Sequence, residues 1–315
     1  MNRLIVIIGP TAIGKTKVSI DLAKKFRTEI ISGDSMLLYR GMNIGTAKPT
    51  PEEQSGIKHH LIDCLNPDQA FSVTDFQQIA SNHISNINAK GLIPILAGGT
   101  GLYVKALLEG YEFNSTPSND SLRVELETIA KNRGNIYLHQ KLFEVAPDVA
   151  QRLHPNDLRR VIRALEIHHE SGDHISQSKQ SDSLNRLMYD TVVIGLTVDR
   201  SILYNRINER VDSMIANGLI KEVSFLLEKG IPPTAQAMQG IGYKEIVAYL
   251  QGETDLPTAI DNIKKATRHF AKRQLTWYRK MPYIDWFDVN HYPSYQNMLE
   301  TFYKHIAGKF HIKVE

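Results

Sequence analysis

One cysteine in 315 residues, Cys64, leaves no partner for an internal disulfide and rules out a Cys-based zinc site. A lone thiol suits a reducing cytosol, and its plainest role is that of a small core residue. No apolar run approaches the ~20 residues that a membrane span needs. The amino terminus enters a strand-like run in place of a signal peptide. A cytoplasmic chain with no membrane partner is therefore expected. Internal repeats and low-complexity segments are missing too. Net charge is only +3, from 37 lysines and arginines against 34 acids. Total charge thus says little about a nucleic-acid partner, and the distribution of charge has to decide. The length allows one large α/β domain with an insertion, or two domains.

What is present begins at the amino terminus, "LIVIIGPTAIGKTKVSIDLA". Leu4 to Ile8 is a short branched run, the pattern of a strand buried on both faces. Gly9, Pro10, Thr11, Ala12, Ile13, Gly14, Lys15 and Thr16 then fit the phosphate-loop pattern at every fixed position. From Lys15 onward, Val18, Ile20, Leu22, Ala23 and Phe26 recur at helical spacing. Strand, loop and helix are the context this motif needs. Glycines let backbone amides converge on an anion, and the helix amino terminus adds a favourable dipole. Lys15 supplies a point charge, and the Thr16 hydroxyl is placed to bind magnesium. The loop selects a polyphosphate or diphosphate and does not single out ATP.

Further strands are predicted at Glu29 to Ser32, Leu92 to Ala97 and Thr191 to Val198, the last followed by a helix from about Ser201 to Ala216. Strands alternating with helices after a phosphate loop predict an α/β fold, a P-loop NTPase-like doubly wound parallel sheet. Between Asn114 and Ser183 the chain turns polar and helical, punctuated by Pro117, Pro147 and Pro155, with a Ser/Gln/Asp-rich exit. Residues 114–183 are thus expected to form a helical insertion domain, with 1–113 and 184–315 forming the catalytic core.

The strand "LIPILA" ends in Gly98-Gly99-Thr100-Gly101 and lacks the magnesium-binding acid that many nucleotide hydrolases and kinases carry there. The acid follows the second strand instead, as Asp34. Strand ends gather at one edge of such a sheet, so Asp34 should lie near the loop, where a carboxylate can bind metal or accept a proton. A helix cap or Asx-turn is the bland alternative. Arg206 and Arg210 share one helix face, opposite the apolar stripe of Leu203, Ile207, Val211 and Met214. A solvated arginine face is the usual reading, but a helix following a sheet strand can aim an arginine at a diphosphate. Lys264 to Lys280 carries seven cations and no acid, in two ladders: Lys264, Arg268 and Lys272, then Lys265, His269 and Arg273. Ile263, Phe270 and Trp277 would be its buried side. Seven such charges should repel one another unless an anion covers them, and an RNA backbone is the favoured anion. Arg159, Arg160 and Arg163 form a second basic cluster far away in sequence, which suggests two jaws on an extended ligand. His59 and His60 are adjacent, but neighbours on an extended segment point apart, which argues against a shared metal. Phe76 and Tyr103 suit a core as well as a channel wall.

In this order the pieces resemble the tRNA dimethylallyltransferases, the isopentenyl transferases that modify adenosine beside the anticodon. The resemblance rests on "GPTAIGKT", "SGDSMLLYRGMNIGTAKP", "HHLID", "FSVTDFQ", "GGTGLY", "HPNDLRRVIRALE", "LYNRINERVDSMIANGLIKEV", "GIGYKE" and "AKRQLTWYRK" and covers nearly the whole chain. It implies that the loop holds dimethylallyl diphosphate, that a flipped adenine enters a channel from the opposite side, and that its exocyclic amine attacks the allylic carbon. Asp34 would be the general base. Thr11 would bond the oxygen of the breaking bond, and Lys15, Thr16 with magnesium, and Arg206 would absorb the growing charge. Arg210 is the second candidate for the arginine role. Contacts to the tRNA anticodon stem-loop are implied for Asp34, Ser35, Met36 and Leu37, for Thr100 and for Arg123. They are also implied for Arg159, Arg160, Val161, Ile162 and Arg163, for Gly242, Tyr243 and Lys244, and for Lys272, Arg273 and Gln274. Many relatives have glutamine where this chain has Leu37, which puts one polar contact in doubt. A monomer without the zinc finger of some eukaryotic relatives is expected.

Three rivals remain. A small-molecule kinase would need the acid missing after "LIPILA". An adenylate isopentenyltransferase would need neither the insertion nor two basic elements. A non-catalytic RNA-binding protein would use the loop only as a sensor.

Overall fold

The computed structural model of the protein describes residues 1–113, 119–171 and 187–312. The expected domain bounds at Asn114 and Ser183, Pro117 and the Ser/Gln/Asp-rich exit lie outside them. Two compact units form, one from Met1–Gly110 with Arg186–Glu315 and the other from Tyr111–Asn185.

In the first unit, β1 (Arg3–Ile8) runs into α1 (Lys15–Phe26), followed by β2 (Ile30–Ser32), the short α2 (Pro51–Gln54), β3 (His59–His60), α3 (Val73–Ala89), β4 (Ile95–Gly98) and α4 (Gly101–Glu109). In the second unit, α5 (Asp120–Arg133), α6 (Asn135–Val145), α7 (Pro147–Ala150) and α8 (Leu158–Ser171) pack around Leu138, Leu142 and Val161. The chain returns to the first unit with β5 (Asp190–Thr197), α9 (Arg200–Ala216), α10 (Leu219–Glu228), α11 (Tyr243–Leu250), α12 (Leu256–Tyr278), β6 (Asp285–Asp288) and α13 (Tyr295–Phe310).

The six strands form one parallel sheet in the order β3-β2-β4-β1-β5-β6. This is the P-loop NTPase-like α/β fold. Central β1 pairs on both sides, with Ile5 level with Ile95 of β4 and Val192 of β5. Its residues alternate between two cores, as strand geometry requires. Ile5 and Ile7 join α1, α9 and α13 on one face, while Leu4, Val6 and Ile8 join α3 and α4 on the other. Burial on both faces is why the strand reads as an unbroken apolar run. The predicted strand at Leu92–Ala97 begins later, at Ile95, because Pro94 has no N–H to enter the ladder; its carbonyl accepts from the Ile5 N–H instead. Parallel strands bring β1, β2, β4 and β5 to the same edge at their carboxyl ends, and the site lies there.

Candidate active site

The loop between β1 and α1 gets its shape from residues in unusual backbone conformations. Gly14 caps α1 at φ 101°, a left-handed conformation that suits glycine, and even Ala12 sits at φ 63°. The half-buried Lys15 folds back so that its Nζ donates to the Pro10 carbonyl at 2.8 Å. Burial, assisted by the charge of Arg210 and opposed by that of Asp34, lowers its pKa to about 8. The Thr11 N–H does not join the converging amides. It donates to Gln274 Oε1 at 2.9 Å, while Gln274 Nε2 donates to the Gly99 carbonyl at 2.8 Å. The buried carboxamide therefore ties the phosphate loop to the "GGTG" turn, with both ends used internally.

Asp34 follows β2 at the same edge. Gly33 and Gly98 bring the two strand ends into contact, since a Cβ on Gly98 would lie 2.3 Å from the Gly33 backbone. Asp34 does form an Asx-turn, but with only one of its oxygens. Asp34 Oδ1 accepts from the Met36 N–H at 2.9 Å, and Oδ2 has no hydrogen-bond partner among the described residues. Thr100 Oγ1 accepts from the Ser35 N–H at 3.0 Å and donates to Ser35 Oγ at 3.3 Å, fixing the turn against the start of α4.

Two cavities meet here. One of about 870 Å³ lies between α1, the segment from Ala47 to Ser55, and Arg206, Glu209 and Arg210 of α9. The other, of about 100 Å³, is bordered by Thr11, Asp34, Leu37, His59 and Phe270. Lys15, Thr16, Ala47, Pro49 and Arg210 border both. Thr11 and Asp34 thus face the smaller cavity and Arg206 the larger, with Arg210 at the junction. Burial lowers the Arg210 pKa, and Asp34 opposes the shift. Neither arginine makes a hydrogen bond or ion pair among the described residues, so both guanidinium groups are available to an anion.

A residue that sequence reasoning missed holds one wall. Glu222 of α10 accepts from the N–H groups of Asn43 and Ile44 at 2.8 Å each and of Gly45 at 3.1 Å, and from the Tyr243 hydroxyl at 2.7 Å. The Tyr243 ring closes on Gly45, where a Cβ would meet it at 2.5 Å. Together they fix the loop that leads into Thr46, Ala47 and Pro49. In the sequence, a glutamate on an amphipathic helix signals only a solvated face.

The basic residues divide. On α12, Lys264 pairs with Asp212 at 2.6 Å and Arg268 donates to Asn208 at 2.7 Å, so this end of the ladder has internal partners. Lys272 and Arg273 are exposed. The buried side of α12 runs through Ile263, Ala271, Gln274 and Tyr278, while Phe270 and Trp277 are only half-buried. In the helical unit, Arg123 and Arg163 both hold the buried Glu166 carboxylate. Arg159 and Arg160 are exposed, with Asp157 3.4 Å from Arg160. Val161 and Ile162 pack inside that unit, and Tyr243 is packed inside its own, so these three side chains offer nothing to a polyanion. Gly242, at φ 96°, donates its N–H to Glu245 at 2.8 Å at the start of α11, and the neighbouring Lys244 is exposed. Met36 packs on Gly240, and Leu37 borders the smaller cavity.

His59 and His60 diverge: His59 Nδ1 lies 2.8 Å from the Ile57 carbonyl and His60 Nε2 2.6 Å from Glu29. No group of three or more His, Cys, Asp or Glu side chains able to hold a metal occurs among the described residues. Phe76 and Tyr103 stack at 4.4 Å inside the core. Cys64 is exposed and is not a core residue. No helix among the described residues is long and apolar enough to cross a membrane.

A phosphate loop, free arginines and a carboxylate with one oxygen free at one sheet edge define a phosphate-loop enzyme in which no acid stands directly after β4. The chain belongs to the IPP transferase family, whose model matches residues 37–281. It is 48% identical over 309 residues to the tRNA dimethylallyltransferase of Alkaliphilus oremlandii, covering 98% of each chain. It is 47% identical over 312 residues to that of Geobacillus thermodenitrificans, covering 99% of this chain and 98% of the other. Among solved structures it is similar to the tRNA isopentenylpyrophosphate transferase of Bacillus halodurans, with 44% identity, a TM-score of 0.75 and coverage of 99% and 97%. A eukaryotic dimethylallyltransferase captured acting on tRNA is 30% identical, with a TM-score of 0.79 over 98% of this chain and 80% of that one.

Proposed function

We infer that this chain transfers the dimethylallyl group of dimethylallyl diphosphate to the exocyclic amine of the adenosine on the 3′ side of the tRNA anticodon, releasing diphosphate. Family membership and full-length similarity to tRNA dimethylallyltransferases support the activity. The observation that carries the division of labour is the pair of adjoining cavities, with Asp34 and Thr11 on one and the phosphate loop and both arginines on the other.

In this reading the diphosphate sits on the phosphate loop against Lys15 and Arg210, and the allyl group points into the smaller cavity. The adenine amine attacks the allylic carbon. A C–N bond forms as the C–O bond breaks, the bonding pair leaves on the diphosphate, and the amine proton passes to Asp34 Oδ2. The Met36 N–H on Oδ1 orients the carboxylate for that transfer. Thr11 donates its hydroxyl to the oxygen of the breaking bond. Lys15 and Arg210 meet the charge that develops there, and Arg206 meets the outer phosphate.

The Thr16 hydroxyl makes no hydrogen bond among the described residues and borders both cavities, so it fits one coordination position of a magnesium ion. With no cage of acids among the described residues, the diphosphate oxygens would supply most other ligands, as hard-cation chemistry favours. Bound there, magnesium would neutralise leaving-group charge. Lys272 and Arg273 would track the RNA backbone, as would Arg159, Arg160 and Lys244. A monomer acting in the cytoplasm completes the reading.

Asp34→Ala tests the assignment. Turnover should collapse while tRNA affinity stays within a few-fold, and largely intact turnover would remove Asp34 as the base.

A further inference from the structure

Helix α12 crosses the carboxyl edge of the sheet and has a recess on each flank. On one side, His269, Arg273, Trp277 and Lys280 border a recess of about 480 Å³, next to the "GGTG" turn: a Cβ on Gly101 would lie 2.5 Å from the Trp277 ring. This flank belongs to the RNA-facing stripe already described. The other flank shares Lys272 and Arg279 with that stripe and adds Arg200, a cation with no role read from the sequence. There a recess of about 260 Å³ opens where β5 ends and α9 begins. Its floor is Val198, Leu203 and Leu275, and its rim carries Arg200, Lys272 and Arg279.

The chemistry of that rim is one-sided. Three cations and the hydroxyl-bearing Thr197, Thr276 and Tyr204 border the recess, and no acid does. Arg200, Lys272 and Arg279 make no side-chain ion pair or hydrogen bond among the described residues, in contrast to Lys264 and Arg268 on the same helix. The Arg200 guanidinium lies 5.0 Å from the Tyr204 ring centroid, and that of Arg268 lies 5.9 Å from it. Two cations already lie against this ring, which disfavours a stacked base and leaves the guanidinium edges for a phosphate. Lys272 and Thr276 border both recesses, so they form a ridge that a strand could cross. Three exposed cations with no acid among them favour an anion, and a polyanion spanning both recesses would neutralise most of them.

We propose that Arg200, Arg279 and Lys272 form a seat for a backbone phosphodiester of the RNA substrate, so that the strand crosses α12 onto the β5–α9 side of the sheet edge. The seat is a binding element and shares no bordering residue with the two cavities at the phosphate loop. This rests on the tRNA-modifying reading above.

The test uses the full chain carrying Arg200→Ala with Arg279→Ala, leaving out the shared Lys272. Anticodon stem-loop affinity is measured across a salt series, together with turnover at saturating RNA. Affinity should fall about tenfold at moderate salt, and the slope of log Kd against log salt should drop by about one to two. The maximal rate and dimethylallyl diphosphate affinity should hold. Lys309→Ala, an exposed cation on α13, controls for net charge and should leave the slope unchanged. Unchanged RNA affinity and slope in the double variant overturn the proposal. If inorganic phosphate protects wild type but not the variant against heat while RNA binding is equal, the recess takes a free anion and the proposal again fails. Wild-type protein that neither binds nor modifies the stem-loop would sink the functional reading itself, an outcome separable from failure of the seat.

Discussion

At the phosphate loop, burial lowers the Lys15 pKa to about 8, with Arg210 adding to the shift and Asp34 opposing it. Between that value and the ordinary 10.5, the unfolded chain holds a proton that the native chain lacks, so this group contributes stability that rises with pH. Diphosphate binding has the opposite dependence. Below pH 8 the ammonium is already charged; above it, binding must take up a proton. With the ligand itself fully ionised, affinity should fall by up to about tenfold per pH unit above 8. Calorimetry across pH 7 to 10 checks this, and Lys15→Arg should flatten the dependence. The arginines separate at the same scale. Arg210 borders both cavities and Arg206 one, so Arg210→Ala should cost roughly a hundredfold in kcat/KM and Arg206→Ala clearly less. Steady-state kinetics with varied dimethylallyl diphosphate would reverse that ranking if Arg206 dominates. Spacing alone could place the two on one helix face but could not tell which reaches the inner cavity, because that depends on how α9 packs against the loop.

Single elements act here by holding others. Gln274 spans from the Thr11 N–H to the Gly99 carbonyl, so Gln274→Ala would leave two polar groups without their partner, at about 1–3 kcal/mol each. KM for dimethylallyl diphosphate should rise with stem-loop affinity nearly unchanged. A variant losing RNA affinity alone would return Gln274 to the interface. The local sequence made the loop, the central strands and Asp34 legible, because each is encoded within a few residues of itself. Of the edge strands, β3 has only two residues, read as extended but not as part of the sheet, and β6, Asp285–Asp288, escaped notice because two of its four residues are acids. Gln274 and Glu222 were beyond reach for a different reason. Their partners lie 175 to 263 residues away, apart from Tyr243, and nothing in the sequence pairs them.

For the whole molecule, the basic stripe matters through its distribution, since net charge is only +3. Lys272→Ala with Arg273→Ala should weaken tRNA binding and lower the salt slope by about two. An unchanged slope in a filter-binding or anisotropy series would take both residues out of the interface. The central claim is a transfer between two substrates meeting in adjoining cavities. A single-turnover experiment with labelled dimethylallyl diphosphate and an anticodon stem-loop tests it most directly. Label should move to the adenosine, and diphosphate should appear only when both substrates are present, with ATP giving no turnover. Release of diphosphate without RNA, or hydrolysis of ATP in place of transfer, would contradict it.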